Sequence, residues 1–297
     1  MNSKQVDALC SVEKKNVAIS SVIAAVFITG AKIVVGILTG SLGIISEALH
    51  SALDLVAAIV TYFAVHIADQ PADKSHHYGH GKVESLSALI ETILLVITCA
   101  WIIYEAINRL ITGNVHLKVT FWSYAVIIFS IIVDFSRSRA LLKVAKKHNS
   151  QALEADALHF STDIWSSLVV LLGLVCAQIG WHRADSIAAL SVALIVLGVS
   201  YRMGKKAVDN LLDKAPDELI PIIKKILKEC PEVLSYHDLR IRQSGADTFI
   251  EISIHFAPNL HISKVHTITE NIEYRICSHV KRCSILIHQE PEDGNHN

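Results

Sequence analysis

Charge is scarce in this sequence: only 19% of its 297 residues are Asp, Glu, Lys or Arg, against 52% hydrophobic. That balance argues against a soluble domain of this length, which carries more charge and fewer long apolar runs. With a formal net charge of −1 and no basic helix interleaved with aromatics, there is no electrostatic case for nucleic acid as a partner. No two of the six cysteines stand as CxxC, so zinc-finger spacing is absent, and Cys10, Cys99, Cys176, Cys230, Cys277 and Cys283 are all expected to be reduced and structural. HExxH is missing too, which removes the usual signature of a zinc hydrolase. The polar opening stretch MNSKQVDALCSVEKK does not make a cleavable signal peptide. What the sequence does have is histidine, in sixteen copies. It is the commonest transition-metal ligand and the side chain that titrates near neutral pH.

A hydrocarbon core of ~30 Å needs roughly 20 apolar residues per helix. Such runs fall at 16–38, 42–66, 85–108, 119–142, 152–179 and 184–204, the second and fifth interrupted by polar residues. Lys and Arg set the orientation. With a cytoplasmic N-terminus, thirteen basic residues lie inside, from Lys4, Lys14 and Lys15 to Arg202, Lys205 and Lys206, and only Arg109, Lys118 and Arg183 lie outside. Both termini are therefore expected in the cytoplasm, and Lys32, inside the first span, is expected near a helix interface.

Beyond residue 210 the hydropathy falls. Pro216 suits the first turn of a helix whose Ile222, Ile223, Ile226 and Leu227 repeat at helical spacing. DLRIRQ and TFIEISIHF alternate with period two around a turn at Ser244-Gly245, a second amphipathic helix follows, and CSILIHQEP closes as a strand. The expected fold class is thus an α-helical membrane protein with six transmembrane helices and a C-terminal α+β domain of order α-β-β-α-β, both its helices on one face of a three-stranded sheet. The divisions are 1–15, an N-terminal segment; 16–208, a membrane domain in contact with the lipid bilayer; and 209–297, a cytoplasmic domain.

The interruptions in the second and fifth spans carry the chemistry. His50 and Asp54 stand four residues apart, as do His159 and Asp163, so each pair presents an imidazole and a carboxylate on one helix face. A carboxylate at the centre of a membrane helix costs about 2.5–3.5 kcal/mol on insertion scales, and neither span has a core Lys or Arg to offset it. Four N/O ligands from two antiparallel helices make the tetrahedral set that Zn2+ prefers.

With these residues in view, the sequence resembles the cation diffusion facilitator family, in its bacterial zinc/ferrous-iron efflux branch. The stretches that carry the resemblance are GSLGIISEALHSALD, DQPADKSHHYGHGKVESL, LEADALHFSTDIWSS, WHRADSIAAL and HDLRIRQSG, which reach from the membrane domain into the tail. The resemblance implies a homodimer in the bacterial inner membrane, exchange of divalent metal ions for protons, and a ferredoxin-like, metallochaperone-type tail. It implies a second metal site at Asp73, His76 and His80, and a third at His237, His266, His288 and Glu290. In that third site Ser253 stands where the family has a histidine; either His255, two residues on and on the same strand face, takes its role on the sheet face open to a partner subunit, or the cluster holds fewer ions. Lys82 and Asp213 match a charge interlock of the dimer, and Leu158 a hydrophobic gate. His50 replaces an aspartate common in the branch, which implies Zn2+ over Cd2+ and leaves Fe2+, Co2+, Ni2+ and Mn2+ open. The competing readings are efflux of Fe2+ or Mn2+ by the same machine, and a membrane metal sensor that does not transport.

Overall fold

The computed structural model describes residues 3–39, 42–112, 121–178, 183–280 and 282–292. It divides into two compact units, 1–71 with 83–208, and 72–82 with 209–297.

The first unit is built from six long helices: α1 (Ser3–Thr39), α2 (Leu42–Ala68), α3 (Lys82–Thr112), α4 (Phe121–His148), α5 (Gln151–Gln178) and α6 (Arg183–Leu211). Among the described residues, Leu9–Val35, Ser51–Ala68 and Lys82–Thr112 are long and apolar enough to cross a membrane by length and composition. Several helices outrun the apolar spans expected for them: α4 continues to His148 through Lys143, Lys146 and Lys147, and α6 to Leu211 through Lys205 and Lys206. The sequence there stays helix-forming after it stops being apolar.

α1 packs along α2, α4 along α5, α1 against α4 and α2 against α5. The core of this four-helix body is rich in alanine: Ala18, Ala64, Ala145, Ala152 and Ala157 surround Val65, Leu141, Leu153 and Phe160. Small side chains let helices approach closely where lipid offers no hydrophobic driving force. α3 and α6 meet α5 through Ala88, Ala155 and Ala207, and at Gly204 a Cβ would lie 3.0 Å from the Thr92 methyl. Lys32 is buried, its Nζ donating to Ser51 Oγ at 2.8 Å across the α1–α2 contact.

The second unit is a three-stranded sheet of order β1-β2-β3, with β1 (Ser235–Ser244) antiparallel to β2 (Asp247–Phe256) and β2 parallel to β3 (Cys283–Pro291). The parallel pair is joined through α8 (Ile262–His279), and α7 (Leu219–Lys228) precedes the sheet. Ile223, Ile226 and Leu227 of α7, Val265, Ile272 and Ile276 of α8, and Ile250, Ile252 and Ile254 of β2 share one core, so both helices cover the same sheet face, as expected. α7 starts at Leu219, three residues after Pro216, and it is Pro221 that occupies the first turn.

The segment 72–82 belongs to this unit. Its Tyr78 ring packs edge-on against Phe249 at 5.1 Å, and the Arg242 guanidinium lies 3.8 Å over Tyr78. Gly81 sits so close to the β1–β2 turn that a Cβ there would lie 2.3 Å from the Ser244 carbonyl oxygen. At the turn itself Gly245 has φ +61°, a conformation that favours glycine. One expectation is corrected: Cys277 and Cys283 are not free thiols but a disulfide, with Cα atoms 5.3 Å apart. The last turn of α8 and the first residue of β3 bring the two together, a juxtaposition set by the fold and not by motif spacing. Cys10, Cys99 and Cys230 are free. Cys176 lies outside the residues described at side-chain level.

Candidate metal centre

Asp54 on α2 and His159 on α5 face each other across the contact between those helices. Asp54 is 9% exposed and His159 4%. His159 Nε2 lies 3.1 Å from Asp54 Oδ1 and 3.7 Å from Asp163 Oδ2, one turn further along α5. One ligand atom from each of Asp54, His159 and Asp163 can be chosen so that all lie within 4.8 Å of one another. The His159 ring stands edge-on to Phe160 at 5.7 Å, and its Nδ1 is buried without a hydrogen-bond partner among the described residues. His50 lies on α2 four residues before Asp54, but its side chain is outside the described residues. Leu158, next to His159, is partly buried.

Other polar groups surround this centre. Arg137 of α4 stacks 3.6 Å over the Phe160 ring, donates to Ser21 Oγ at 2.9 Å and lies 3.5 Å from Asp134. Asp156, fully buried, accepts from Ser21 at 3.4 Å, and Glu91, also fully buried, accepts from Thr61 and Ser87. Lys14 of α1 bridges Asp69, just past α2, and Glu84 of α3 in a buried triad. Sequence reading missed this triad and Asp156. For Asp156 the signal was an acidic residue inside an otherwise apolar run, whereas the triad's members lie in polar flanks 55 and 70 positions apart.

In the second unit Asp73, His76 and His80 form another group. Asp73 Oδ1 is 3.4 Å from His76 Nδ1 and Oδ2 is 3.5 Å from His80 Nε2, with the two rings 4.4 Å apart. The backbone N–H groups of His76 and Ser75 donate to Asp73 and hold its carboxyl well below the usual carboxylate range. His77 turns its Nε2 to the Lys74 carbonyl and stays out of the group. His80 Nδ1 is buried with no hydrogen-bond partner among the described residues.

On the sheet, His237, His255 and Glu290 gather from three strands, with Nε2 of His237 and His255 at 3.5 and 3.6 Å from Glu290 Oε2. His288 reaches the other oxygen of Glu290 at 3.2 Å but does not join the group, and His266, 67% exposed on its side chain, pairs instead with Glu270 one turn along α8. Ser253 sits in register between His237 and His288. His255 is 1% exposed, so the expectation of an open position is corrected. It lies on the central strand, where Glu290 of β3, Glu292 just past its end and His237 of β1 close over it. Lys82 Nζ and Asp213 Oδ1 form an ion pair at 2.9 Å.

A buried carboxylate–imidazole group inside a body of long apolar helices, with two more such groups in a small α+β unit, marks a membrane protein that handles cations. Comparison with known proteins agrees. Residues 18–212 match the cation efflux transmembrane domain, and residues 215–292 the cytoplasmic domain of cation efflux proteins. The cation-efflux pump FieF of Citrobacter koseri is 35% identical over 281 residues, 92% of this chain and 91% of that protein. The Cronobacter sakazakii pump of the same name is 33% identical over 275 residues, again 92% and 91%. Among solved structures, the metal-bound C-terminal domain of the CzcD transporter from Thermotoga maritima is 27% identical and covers 27% of this chain and 93% of its own, with a TM-score of 0.26. The chain belongs to the cation efflux, or cation diffusion facilitator, family. It is a membrane-spanning cation efflux transporter and not an enzyme.

Proposed function

We propose that this transporter exports Zn2+ ahead of other divalent metals, in exchange for protons, through a tetrahedral site formed by His50, Asp54, His159 and Asp163. The observation that carries the reading is the convergence of Asp54, His159 and Asp163 from α2 and α5 in a buried setting. His50 completes the set by its place one turn from Asp54 on the same helix face. Two imidazoles and two carboxylates suit Zn2+, whose Zn–N and Zn–O bonds of about 2.0–2.2 Å close a tetrahedron. These ligands bind metal only when deprotonated, so uptake of the cation releases protons and reprotonation ejects it. Alternating access gives that exchange a direction.

The other groups fit supporting roles. Asp73, His76 and His80 form a loop site. His237, His255 and Glu290, with His288 beside them, form a tail site, and His266, paired with Glu270, stands outside it. Imidazole and carboxylate donors of this kind suit Zn2+ in both. The Lys82–Asp213 pair fits a charge interlock in a homodimer, and Leu158 a gate beside His159. We place the membrane domain at 16–208 and the cytoplasmic domain at 209–297, with both termini cytoplasmic in a bacterial inner membrane.

The test is metal uptake into inverted or reconstituted vesicles, comparing Zn2+, Cd2+, Fe2+ and Mn2+ under an imposed pH gradient. Zn2+ flux that rises with the gradient and exceeds Cd2+ flux is the expected result. Flux led by Fe2+ or Mn2+ moves the assignment to that metal, and flux insensitive to the gradient removes the proton exchange.

A further inference from the structure

Cys277 and Cys283, six positions apart, are bonded to each other, although the tail matches the cytoplasmic domain of its family. The cytosol keeps thiols reduced, and the disulfides that do form there are mostly transient or redox-sensing. The setting of this bond fits that class. Both cysteines are half-buried, and Ser278, His279, Arg282 and Ser284 around them are exposed, so a small thiol can reach the sulfurs. The fold does not depend on the bond: Ile276 and Val280 of the α8 end are buried, and Ile285 and Ile287 of β3 pack on the shared core. Cys230, the third cysteine of the tail, is buried and accepts from Arg275 at 3.3 Å.

The bond stands at the end of the sheet on which the 72–82 loop is seated. Cys283 is in register with Thr248 and Ser284 with Phe249. Arg282, just before the second cysteine, has φ +50°, an uncommon conformation for a residue with a side chain. It is tied to β2 twice: its carbonyl accepts from the Thr248 N–H at 3.0 Å, and its guanidinium pairs with Asp247 at 2.8 Å. Asp247 opens β2 opposite Ser244, and Gly81 sits against Ser244 and Gly245. Tyr78 packs on Phe249. Fixing Cys283 therefore steadies the first residues of β3, the start of β2 and, through them, the loop that carries Asp73, His76 and His80.

We infer that Cys277 and Cys283 form a reversible thiol–disulfide site, set by the low-molecular-weight thiol couple of the cytoplasm, whose oxidised form stiffens the seat of the 72–82 loop. The inference rests on the cytoplasmic placement of the tail and on no metal assignment. Reduction consumes two thiols such as glutathione. The thiolate of the first attacks one sulfur of the bond, the other cysteine leaves as a thiolate and takes a proton, and the second thiol resolves the mixed disulfide. The products are two cysteine thiols and one molecule of oxidised glutathione; the reverse sequence closes the bond.

The experiment equilibrates the full-length protein, in detergent with a metal chelator, across a series from oxidised to reduced glutathione. Free thiols are trapped by alkylation, and the peptides that carry Cys277 and Cys283 are read by mass spectrometry. The pair is expected to pass from disulfide to dithiol along the series. Amide exchange at 72–82 and 244–248 is expected to be roughly tenfold or more faster in the reduced protein, the scale of a short cross-link on a local opening. Cys277→Ser and Cys283→Ser should exchange like reduced wild type and ignore glutathione; if neither folds, the two states of wild type decide alone. A bond that persists in reduced glutathione is structural and overturns the inference, as does a pair that stays reduced in oxidised glutathione or a loop that exchanges equally in both states. In sealed vesicles, a membrane-impermeant maleimide should label the reduced pair only when they are inverted. Labelling of right-side-out vesicles instead overturns the cytoplasmic placement, separately from the glutathione result.

Discussion

The buried centre of the membrane unit and the loop group of the second unit use the same chemistry in opposite settings. Asp54, His159 and Asp163 come from two helices more than a hundred residues apart, and little water reaches them. Asp73, His76 and His80 come from one short loop, and Asp73 and His76 are exposed. The first group exists only if the helix body is packed, so its geometry reports the conformation of the whole unit. The second is held locally, by the turn in which Asp73 accepts from the backbone of Ser75 and His76, and by its seat on the β1–β2 hairpin. At the proposed sites, a cation held between α2 and α5 would therefore be coupled to helix packing, and one held by the loop to the tail.

This contrast predicts a graded set of losses. Substituting Asp163 or His159 by Ala is expected to abolish zinc flux in proteoliposomes, a larger loss than the roughly 10–100-fold typical of groups outside a metal's direct ligands. His80→Ala is expected to leave most of the flux, and equal losses at the two sites would erase the distinction. Next in size is Ile272→Ala, in the core shared by α7, α8 and the sheet, which should destabilise the tail by about 2–5 kcal/mol. Chemical denaturation of the full-length protein, followed by amide exchange in the tail, measures it. Gly81→Ala should cost about 1–3 kcal/mol, because its Cβ has nowhere to go beside Ser244. Faster amide exchange confined to 72–82 and the β1–β2 turn is the expected signature. The smallest effect belongs to His266→Ala. Its imidazole pairs only with Glu270 among the described residues, and zinc binding by the tail should hardly change by calorimetry.

The two regions also differ in how far they were legible in the sequence. The six helices showed themselves because apolar runs of membrane length have few other uses. Asp54, His159 and Asp163 stood out because a charge in such a run is costly, which turned composition into a candidate site. The tail was legible as elements: CSILIHQEP coincides with β3, and alternation assigned Ile250, Ile252 and Ile254 to the core. Alternation gives the face of a strand but not what its neighbours lay over that face, and so His255 was misread as open. The Cys277–Cys283 disulfide and the Lys14–Asp69–Glu84 triad follow from tertiary proximity alone, which no local spacing rule reports.

The central claim is that the membrane unit holds the cation by itself. Zinc binding to full-length protein with the loop and tail groups removed together, by Asp73→Ala, His80→Ala, His237→Ala and His255→Ala, tests it most directly when read with zinc K-edge absorption. One zinc ion per chain is expected to remain, bound only by nitrogen and oxygen at about 2.0–2.2 Å, and Asp163→Ala in the same background is expected to remove it. Loss of all zinc before Asp163 is touched, or sulfur among the ligands, would contradict it.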